Sequence, residues 1–224
     1  MSERDLETRA RVLATATRLF AARGFKKVTV REICREARAN VAAVNYHFGD
    51  KLGLYREVLS TAIETMRDTT DLAREAGEGG TPEQKLRAYI HVFLERVAGG
   101  GHDSWIHQLM TQEMIDPTPA LDMVADQVIR PRLAYVGEIV GELLGRPADD
   151  DAVRRCVLSI QAQCAMAVAN PFSRRLVPEH HDAATLESLA DHITDFSLGG
   201  VRALRASTPR PARAESHAAP HQFG

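Results

Sequence analysis

The segment at residues 29–51, TVREICREARANVAAVNYHFGDK, constrains the fold more than any other part of the chain. Thr29 and Glu32 match the S/T-x-x-E capping box, which predicts a helix that begins here with two of its end amides satisfied. The apolar residues that follow recur at helical spacing and share one face: Val30, Ile33 and Ala37. The pattern therefore predicts a short amphipathic helix.

A second short helix is predicted after a break at residues 38–40, Arg-Ala-Asn. Asn40 is a favourable N-cap for a helix over residues 41–48. Val44 and Phe48 are four residues apart and face a core, so the side chains between them take the outer face. Those side chains are Asn45, Tyr46 and His47. Two short helices around a tight turn, with polar side chains outward, are typical of a helix-turn-helix DNA-binding motif.

The chain resembles the TetR-type bacterial transcriptional regulators from Arg9 to Val58. The matching segments come in order: A-x-x-L-F-A-x-x-G-F at residues 16–25, T-V-R-E-I at 29–33, N-Y-H-F-G-D-K at 45–51, then Leu54-Tyr55. The run A-N-V-A-A-V-N-Y-H-F-G also resembles the CecR (YbiH-like) branch. The resemblance implies an all-α regulator with a DNA-binding N-terminal domain and a larger body that dimerises and binds a small molecule.

Arg38 departs from the family pattern, which usually has Gly in this turn. A left-handed backbone conformation costs a non-glycine residue strain. Two alternatives follow: either the turn relaxes, or the Arg38 side chain is retained because it contacts a DNA phosphate.

The remaining chain shows helical patterns and no convincing strand alternation. The spacing predicts an all-α fold of about nine helices, with a long helix over residues 120–144 perturbed at Pro131. We expect a helix-turn-helix DNA-binding domain at 1–52 and an effector-binding and dimerisation domain at 53–205. Residues 206–224 are rich in Pro, Ala, Arg and Ser and are expected to be disordered.

Charge is distributed unevenly along the chain. The net charge is −2, but residues 1–52 hold 11 Lys and Arg against 6 Asp and Glu, a local charge of +5 that leaves −7 for the rest. Chance variation between segments is one explanation. The other is an electropositive DNA-binding end on an acidic body, which would repel DNA from the wrong surface.

Cysteine usage and hydropathy indicate a cytoplasmic protein. Cys34, Cys156 and Cys164 show no C-x-x-C spacing and no disulfide framework, which suits a reducing compartment. No apolar run of about 18 residues could cross a membrane. Because no catalytic, phosphate-binding or metal-ligand motif is found, we expect no enzymatic activity, no metal and no cofactor.

The residues expected to contact DNA lie in and beside the second short helix: Thr29, Arg38, Asn40, Val41, Ala42, Ala43, Asn45, Tyr46, His47 and Lys51. Asn45 has the amide that pairs with adenine in the major groove, and small apolar side chains fit thymine methyls. The resemblance implies base contacts at Asn45 and phosphate contacts at Tyr46, His47 and Lys51. Two alternatives stay open: Asn40 as a helix cap, and His47 as a packing residue.

Two apolar stripes near the C-terminus are candidates for a dimer surface, although stripes of this size also occur in a domain's own core. The resemblance favours a dimeric four-helix bundle. The predicted interface residues are Val153, Val157, Ile160, Cys164, Leu189, Ile193 and Phe196.

An effector pocket in the body would be lined by aromatic, apolar and amide side chains from several helices. The candidates are Tyr89, Phe93, Trp105, Gln108, Leu109, Gln112, Tyr135, Gln163 and Met166. Each of these could instead be ordinary core.

Together these features predict a homodimeric transcriptional regulator. We expect a repressor that a small hydrophobic or amphipathic effector releases from a palindromic double-stranded DNA operator. The alternatives are a DNA-binding protein without an effector, and a redox-responsive regulator acting through its cysteines.

Overall fold

The computed structural model of the chain describes residues 3–98, 105–167 and 183–206. Within these ranges the regular secondary structure is entirely helical, which confirms the predicted all-α class. In the same ranges, no helix is both long and apolar enough to span a membrane.

The described residues form ten α-helical segments. In chain order they are α1 (Glu3–Arg23), α2 (Val30–Ala37), α3 (Val41–Phe48), α4 (Lys51–Ala76), α5 (Pro82–Ala98), α6 (Trp105–Ile115), α7 (Leu121–Val124), α8 (Arg130–Leu144), α9 (Asp151–Ala167) and α10 (Ala183–Ala206). A π-helical segment, Ala125–Ile129, joins α7 and α8 into one continuous helix.

Capping side chains begin several helices, and the one at Asn40 was predicted. Asn40 Oδ1 accepts a hydrogen bond from the amide two residues later at 3.0 Å, and Asp50 Oδ1 accepts one from the amide three residues later at 2.7 Å. Thr81 and Gln84 form both bonds of a capping box at the start of α5.

The capping box predicted at Thr29 is only half formed. Thr29 Oγ1 accepts from the Glu32 amide at 3.2 Å, but the Glu32 carboxylate pairs with Arg23 of α1 instead of returning to the Thr29 amide. The hydrogen bond from Arg23 is also the main reason that the pKa of Glu32 lies below its usual value. A residue distant in sequence therefore competes successfully for this carboxylate.

Two hydrophobic clusters form the interior of the described chain. The N-terminal cluster joins the inner faces of α1–α3 and the first part of α4 to α6, α7 and the π-helical segment. The body cluster joins Ala73, near the end of α4, to α5, α8, α9 and α10. α4 contributes to both clusters. The division into domains at residue 52 stays a prediction, and residues 207–224 of the predicted tail lie outside the described residues.

Pro131 perturbs the long helix as predicted. Proline has no amide hydrogen, and its ring excludes the carbonyl four residues earlier. The π-helical segment immediately before α8 changes the helical register at this point. Arg130 then lies in solvent beside Asp126, whereas Arg132, two residues later, is buried.

The turn between α2 and α3 does not relax. Arg38 has φ 51° and ψ 46°, and within the described ranges it is the sole non-glycine residue with positive φ. The first of the two alternatives for Arg38 is therefore wrong, and the strained backbone is present in the fold.

Replacing Arg38 with Gly should stabilise the fold by about 0.5–1 kcal/mol. The left-handed conformation costs an L-residue roughly 1–2 kcal/mol, and glycine loses about 0.5–1 kcal/mol of this gain through its more flexible unfolded chain. Urea unfolding monitored by circular dichroism measures the change. Arg35→Gly, inside the regular part of α2, is the matched control and should destabilise by about 1 kcal/mol. Equal effects of the two substitutions would contradict the strain.

Candidate nucleic-acid interface

The outer face of α3 is available to a macromolecule. Four exposed side chains share it at positions i, i+1, i+4 and i+5: Val41, Ala42, Asn45 and Tyr46. Tyr46 is 74% exposed, whereas Val44 on the opposite face is completely buried. The exposed face therefore presents an amide, a phenol and small apolar groups, while the opposite face of the helix packs against the N-terminal core.

The turn before α3 is held by backbone hydrogen bonds. The Ala39 amide donates to the Cys34 carbonyl at 2.9 Å, and the Arg38 amide donates to the Arg35 carbonyl at 3.4 Å. Asn40 caps α3 through Oδ1, as one of its alternatives states, and the cap leaves its side-chain amide nitrogen as a donor. Both short helices thus keep a defined relative position.

His47 and Lys51 are less available than the residues on the outer face. His47 is half-buried, with its ring 4.9 Å from that of Tyr46 and 6.1 Å from that of Phe48, and both a packing role and a phosphate contact stay predictions for it. Lys51 Nζ lies 4.2 Å from the centroid of the Phe25 ring, and burial lowers the pKa of this amine. A phosphate contact by Lys51 requires its side chain to leave Phe25. Ala43 is also half-buried.

The cations of the N-terminal helices and turns differ in their pairing with carboxylates. Four are neutralised in ion pairs with carboxylates: Arg9, Arg18, Arg23 and Lys26. The exposed cations of α2 and of the turns on either side of it that form no ion pair within the described residues are Lys27, Arg31, Arg35 and Arg38. Arg31 and Arg35 are not among the residues predicted to contact DNA. Their i, i+4 spacing on α2, on the face away from Ile33, was the signal that could have found them.

A buried carboxylate joins α6 to α4, and the N-terminal helices pack on both. Glu113 of α6 is 1% exposed, and its Oε1 accepts a hydrogen bond from the Tyr55 hydroxyl of α4 at 2.5 Å. Its Oε2 accepts from the Thr118 amide at 3.1 Å and from the Thr118 hydroxyl at 3.3 Å. Burial, and secondly the neighbouring Glu113, raise the pKa of the Tyr55 phenol, so Tyr55 stays a donor.

Two further contacts fix α6 against the N-terminal helices. Lys26, in the turn between α1 and α2, pairs with Asp116 at the end of α6. Gly24 lies so close to α6 that a Cβ built there would be 2.9 Å from Gln112 Oε1. Gln112, which was predicted to line an effector pocket, therefore packs against the turn that precedes the helix-turn-helix.

The nine predicted effector residues are not brought together in one cluster. Tyr89, Phe93 and Tyr135 are buried together in the body cluster. Four others lie on α6 beside the N-terminal helices: Trp105, Gln108, Leu109 and Gln112. Trp105 and Gln108 line a groove of about 660 Å³ between α1 and α6. The predicted residues therefore divide between two clusters, because linear order does not show which cluster α6 joins, and the effector pocket stays a prediction.

Gln163 and Met166, the remaining two predicted effector residues, also lie apart from the other seven. Gln163 Nε2 donates to the Ser159 carbonyl and the Ser197 hydroxyl, each at 3.3 Å, and so ties α9 to α10. Met166 is 60% exposed. The amide that reaches the buried aromatic group is instead Gln161, whose Nε2 donates to the Tyr89 hydroxyl at 2.7 Å.

The predicted dimer residues mostly belong to the core of one protomer. Five are buried in the body cluster, and the prediction is wrong for them: Val153, Val157, Ile160, Cys164 and Ile193. Leu189 is partly buried against the same cluster. Phe196 alone of the seven is on the outside, at 65% exposed. Most residues of the two predicted stripes therefore face the core of their own protomer. This is the second possibility that the residue spacing allowed.

The cysteines are poorly placed for redox chemistry. All three are buried free thiols, and burial raises the pKa of each, that of Cys164 to about 12. A protonated, buried thiol reacts slowly with oxidants. Among the described residues no group of three His, Cys, Asp or Glu side chains is arranged to hold a metal ion.

Two family models match the chain over adjoining regions. The model for the C-terminal domain of the HTH-type transcriptional dual regulator CecR matches residues 82–201, more than half of the chain. The model for bacterial regulatory proteins of the tetR family matches residues 12–58. The second match contains the helix-turn-helix and its exposed α3 face.

Curated relatives include bacterial regulators. The HTH-type transcriptional dual regulator CecR of Shigella flexneri is 25% identical over 158 residues, which cover 67% of this chain and 70% of that protein. A protein of Escherichia coli K12 named "Probable acrEF/envCD operon repressor" is 26% identical over 141 residues, or 62% of this chain and 61% of that protein.

Solved structures share the fold at low sequence identity. A regulatory protein in the tetR family from Rhodococcus RHA1 superposes with a TM-score of 0.62 at 19% identity, covering 90% of this chain and 98% of that one. SCO4454, a TetR-family transcriptional regulator from Streptomyces coelicolor, gives 0.56 at 21% identity, covering 89% and 95%.

Removing the Tyr55 hydroxyl should destabilise the protein. In Tyr55→Phe the Glu113 Oε1 atom loses its donor inside the protein, which costs about 1–3 kcal/mol in the free energy of unfolding. Tyr46→Phe makes the same chemical change at an exposed site and should alter stability by less than about 0.5 kcal/mol. Urea unfolding measures the free energy of unfolding of both variants. Similar losses in the two would contradict a stabilising role for the buried hydrogen bond between Tyr55 and Glu113.

Proposed function

Because the chain belongs to the TetR family of bacterial transcriptional regulators, with a CecR-type C-terminal domain, we propose that it binds a palindromic operator as a homodimer and is released by a small-molecule effector. The observation that carries the proposal is the exposed outer face of α3 beside unpaired cations on α2. The effector, the operator symmetry and the individual DNA contacts all form part of this proposal.

Base contacts come from the first half of α3. An α-helix fits the major groove, where each base pair presents a distinct pattern of donors, acceptors and methyl groups. The Asn45 amide, exposed on this face, matches the N6 and N7 atoms of adenine. Val41 and Ala42 are small and exposed beside it, which suits contact with thymine methyl groups. Asn40 adds a side-chain donor at the start of the helix.

Phosphate contacts come from both flanks of α3. Tyr46 projects its hydroxyl into solvent on one side. On the other side the exposed cations of α2 and the turn follow the helix edge: Arg31, Arg35 and Arg38. Thr29, exposed at the N-terminus of α2, lies where amide groups and the helix dipole favour an anion. The strained Arg38 is consistent with the second alternative, retention for a phosphate contact.

The dimer forms through the outward faces of α9 and α10, which replace the buried stripes first predicted. These faces expose large apolar side chains: Leu158, Met166, Phe196 and Leu204. Gly199 and Gly200 are also exposed on α10, where small residues allow another helix to approach. A two-fold dimer places two α3 helices about one DNA turn apart, which suits palindromic half-sites.

Release requires the effector to bind the DNA-incompetent conformation more tightly than the competent one. α4 and α6 are the elements through which such a difference reaches α3. α4 begins three residues after α3 and extends into the body cluster, while α6 is bonded to it through Glu113. A ligand that shifts either helix therefore changes the position of the DNA-binding face.

Truncating Asn45 should weaken specific DNA binding. A lost bidentate contact costs about 1–3 kcal/mol for each half-site, or roughly 5–150-fold in affinity. Fluorescence anisotropy with the DNA upstream of the protein's own gene, against a scrambled duplex, measures the effect of Asn45→Ala. Gln127→Ala, which removes an exposed amide of the π-helical segment, is the matched control and should bind normally. Equal affinity of the native protein for both duplexes would contradict specific recognition.

A charge on the outward face of α10 should separate the dimer. Phe196→Glu places a carboxylate in the proposed interface, and light scattering after size exclusion should then give the protomer mass. Operator affinity should fall with it, because one protomer contacts one half-site. Leu6→Glu changes a similarly exposed apolar residue, 51% exposed on α1, and should leave the dimer intact. A native protein that elutes as a monomer at micromolar concentration would refute the interface.

A further inference from the structure

Arg132 is a buried cation where the two hydrophobic clusters meet. Its residue surface is 8% exposed, and its guanidinium carbon lies 5.2 Å from the centroid of the Phe93 ring of the body cluster. Its Nη2 atom points toward the main chain of Met66 on α4, and the Met66 side chain packs against the N-terminal cluster. The side chain thus spans α8, α5 and α4.

No negative charge in the described part of the chain balances this cation. None of the ion pairs there involves Arg132. The groups that act on it electrostatically are Tyr89 and Cys164. Burial raises the pKa of each to about 12, so both are neutral at physiological pH. An unpaired buried charge is unusual, because such groups are normally paired or bound to an ion.

The hydrogen-bonding capacity of the guanidinium is also largely unused. Arginine carries five N–H donors in a planar fork. Nε is buried without any partner, and the one hydrogen bond of the side chain within the described residues runs from Nη2 to the Met66 carbonyl at a long 3.4 Å. Both the charge and the unused donors of Arg132 therefore suit an acceptor that carries a negative charge.

We propose that Arg132 binds the carboxylate of a small amphipathic anion, and that this anion is the effector of the protein. The inference rests on the proposed function for its regulatory half, while the anion site stands independently. A carboxylate accepts two parallel hydrogen bonds from a guanidinium, and one unit of charge neutralises the other. A phosphate dianion would leave an excess negative charge beside a single cation.

The surroundings of Arg132 define the rest of the ligand. Phe93, Tyr89 and Tyr135 pack around one another in the body cluster, with ring centroids 6.0 and 6.2 Å from that of Tyr89. The Tyr89 hydroxyl, bonded to Gln161, is the neighbouring polar group. A ligand with a carboxylate at one end and an apolar or aromatic body at the other matches both features.

Occupation of the site would act directly on α4. The Met66 carbonyl is the present acceptor for Arg132, and its bond is long enough to be replaced easily by a charged acceptor. A carboxylate that takes the guanidinium removes this contact between α8 and α4. Because α4 begins beside α3, its release changes the position of the DNA-binding face.

The test measures thermal unfolding of the full-length protein with octanoate and benzoate as probes. The uncharged 1-octanol and benzyl alcohol, and the cation octylamine, are the matched controls. We expect the carboxylates to raise Tm by about 3–6 °C at roughly ten times their Kd, and the controls to raise it much less. A rise of equal size with the alcohols, or no rise with either carboxylate, overturns the site.

Variants assign the effect to Arg132. Arg132→Met should abolish the carboxylate-induced rise, without lowering Tm in the absence of probe, since it removes an unbalanced charge. Arg132→Lys keeps the positive charge but loses the planar guanidinium, so we expect a smaller rise in Tm with the carboxylates. This variant replaces Arg132→Met in the test if Arg132→Met does not fold. Arg130→Met, two residues away and exposed, should respond like the native protein. A carboxylate rise that survives in Arg132→Met and Arg132→Lys at full size overturns the proposal.

Anisotropy with upstream DNA separates the two proposals. Release of DNA by octanoate or benzoate in the native protein, lost in Arg132→Met, supports both the anion site and its regulatory role. Binding of carboxylate through Arg132 with no change in DNA affinity supports the site and refutes its role as effector site. DNA release by a neutral compound, with no Arg132-dependent carboxylate binding, leaves the proposed function standing and overturns this inference.

Discussion

The hydrogen bonds of Glu113 hold α4, α6 and the connection after α6 together, and the helices α1–α3 pack on this unit in the N-terminal cluster. A carboxylate that is almost fully buried is stable only if its lone pairs are satisfied, and here the donors come from Tyr55 and Thr118. These donors lie on α4 and in the connection after α6. The requirement to satisfy one carboxylate therefore fixes two helices and a loop relative to one another. The N-terminal cluster is completed by the apolar residues that follow that loop, such as Ala120 and Val124.

α4 connects the N-terminal cluster, where Glu113 is bonded, to the body cluster. Tyr55 and Met66 are eleven residues apart, so the contact with Glu113 and the contact with Arg132 are about 16 Å apart along the helix. One contact belongs to the N-terminal cluster, and the other reaches the body cluster. Two sites that bias the same rigid element are thermodynamically linked, and each then changes the affinity of the other. This is the physical basis on which a ligand in the body would alter DNA binding.

Local features of the fold were predictable from sequence because neighbours in the chain determine them. The caps at Asn40 and Asp50, the full capping box at Thr81 and the perturbation near Pro131 all depend on residues within four positions. The half-formed box at Thr29 shows the limit, since Arg23 competes for Glu32 from another helix. The exposed face of α3 was predictable because burial of Val44 fixes which side is outward.

The effector and dimer residues were not predictable in the same way. Spacing shows that Val157 and Ile160 share a face, but not whether the chain's own core or a second protomer covers it. Likewise Trp105 and Tyr89 are both aromatic, yet they belong to different clusters. Arg132 and Glu113 appear as ordinary charged residues in helical sequence. Only the three-dimensional packing reveals that one is unpaired and the other fully bonded.

Native-state hydrogen exchange of Glu113→Gln tests most directly whether this carboxylate holds the DNA-binding helices in place. We expect the amides of α1, α2 and α3 to exchange faster in the variant than in the native protein, and by a similar factor. The amides of α5 and α9 should keep the protection that they have in the native protein. Unchanged protection in α1–α3, or an equal loss across all of these helices, would contradict this role of the carboxylate.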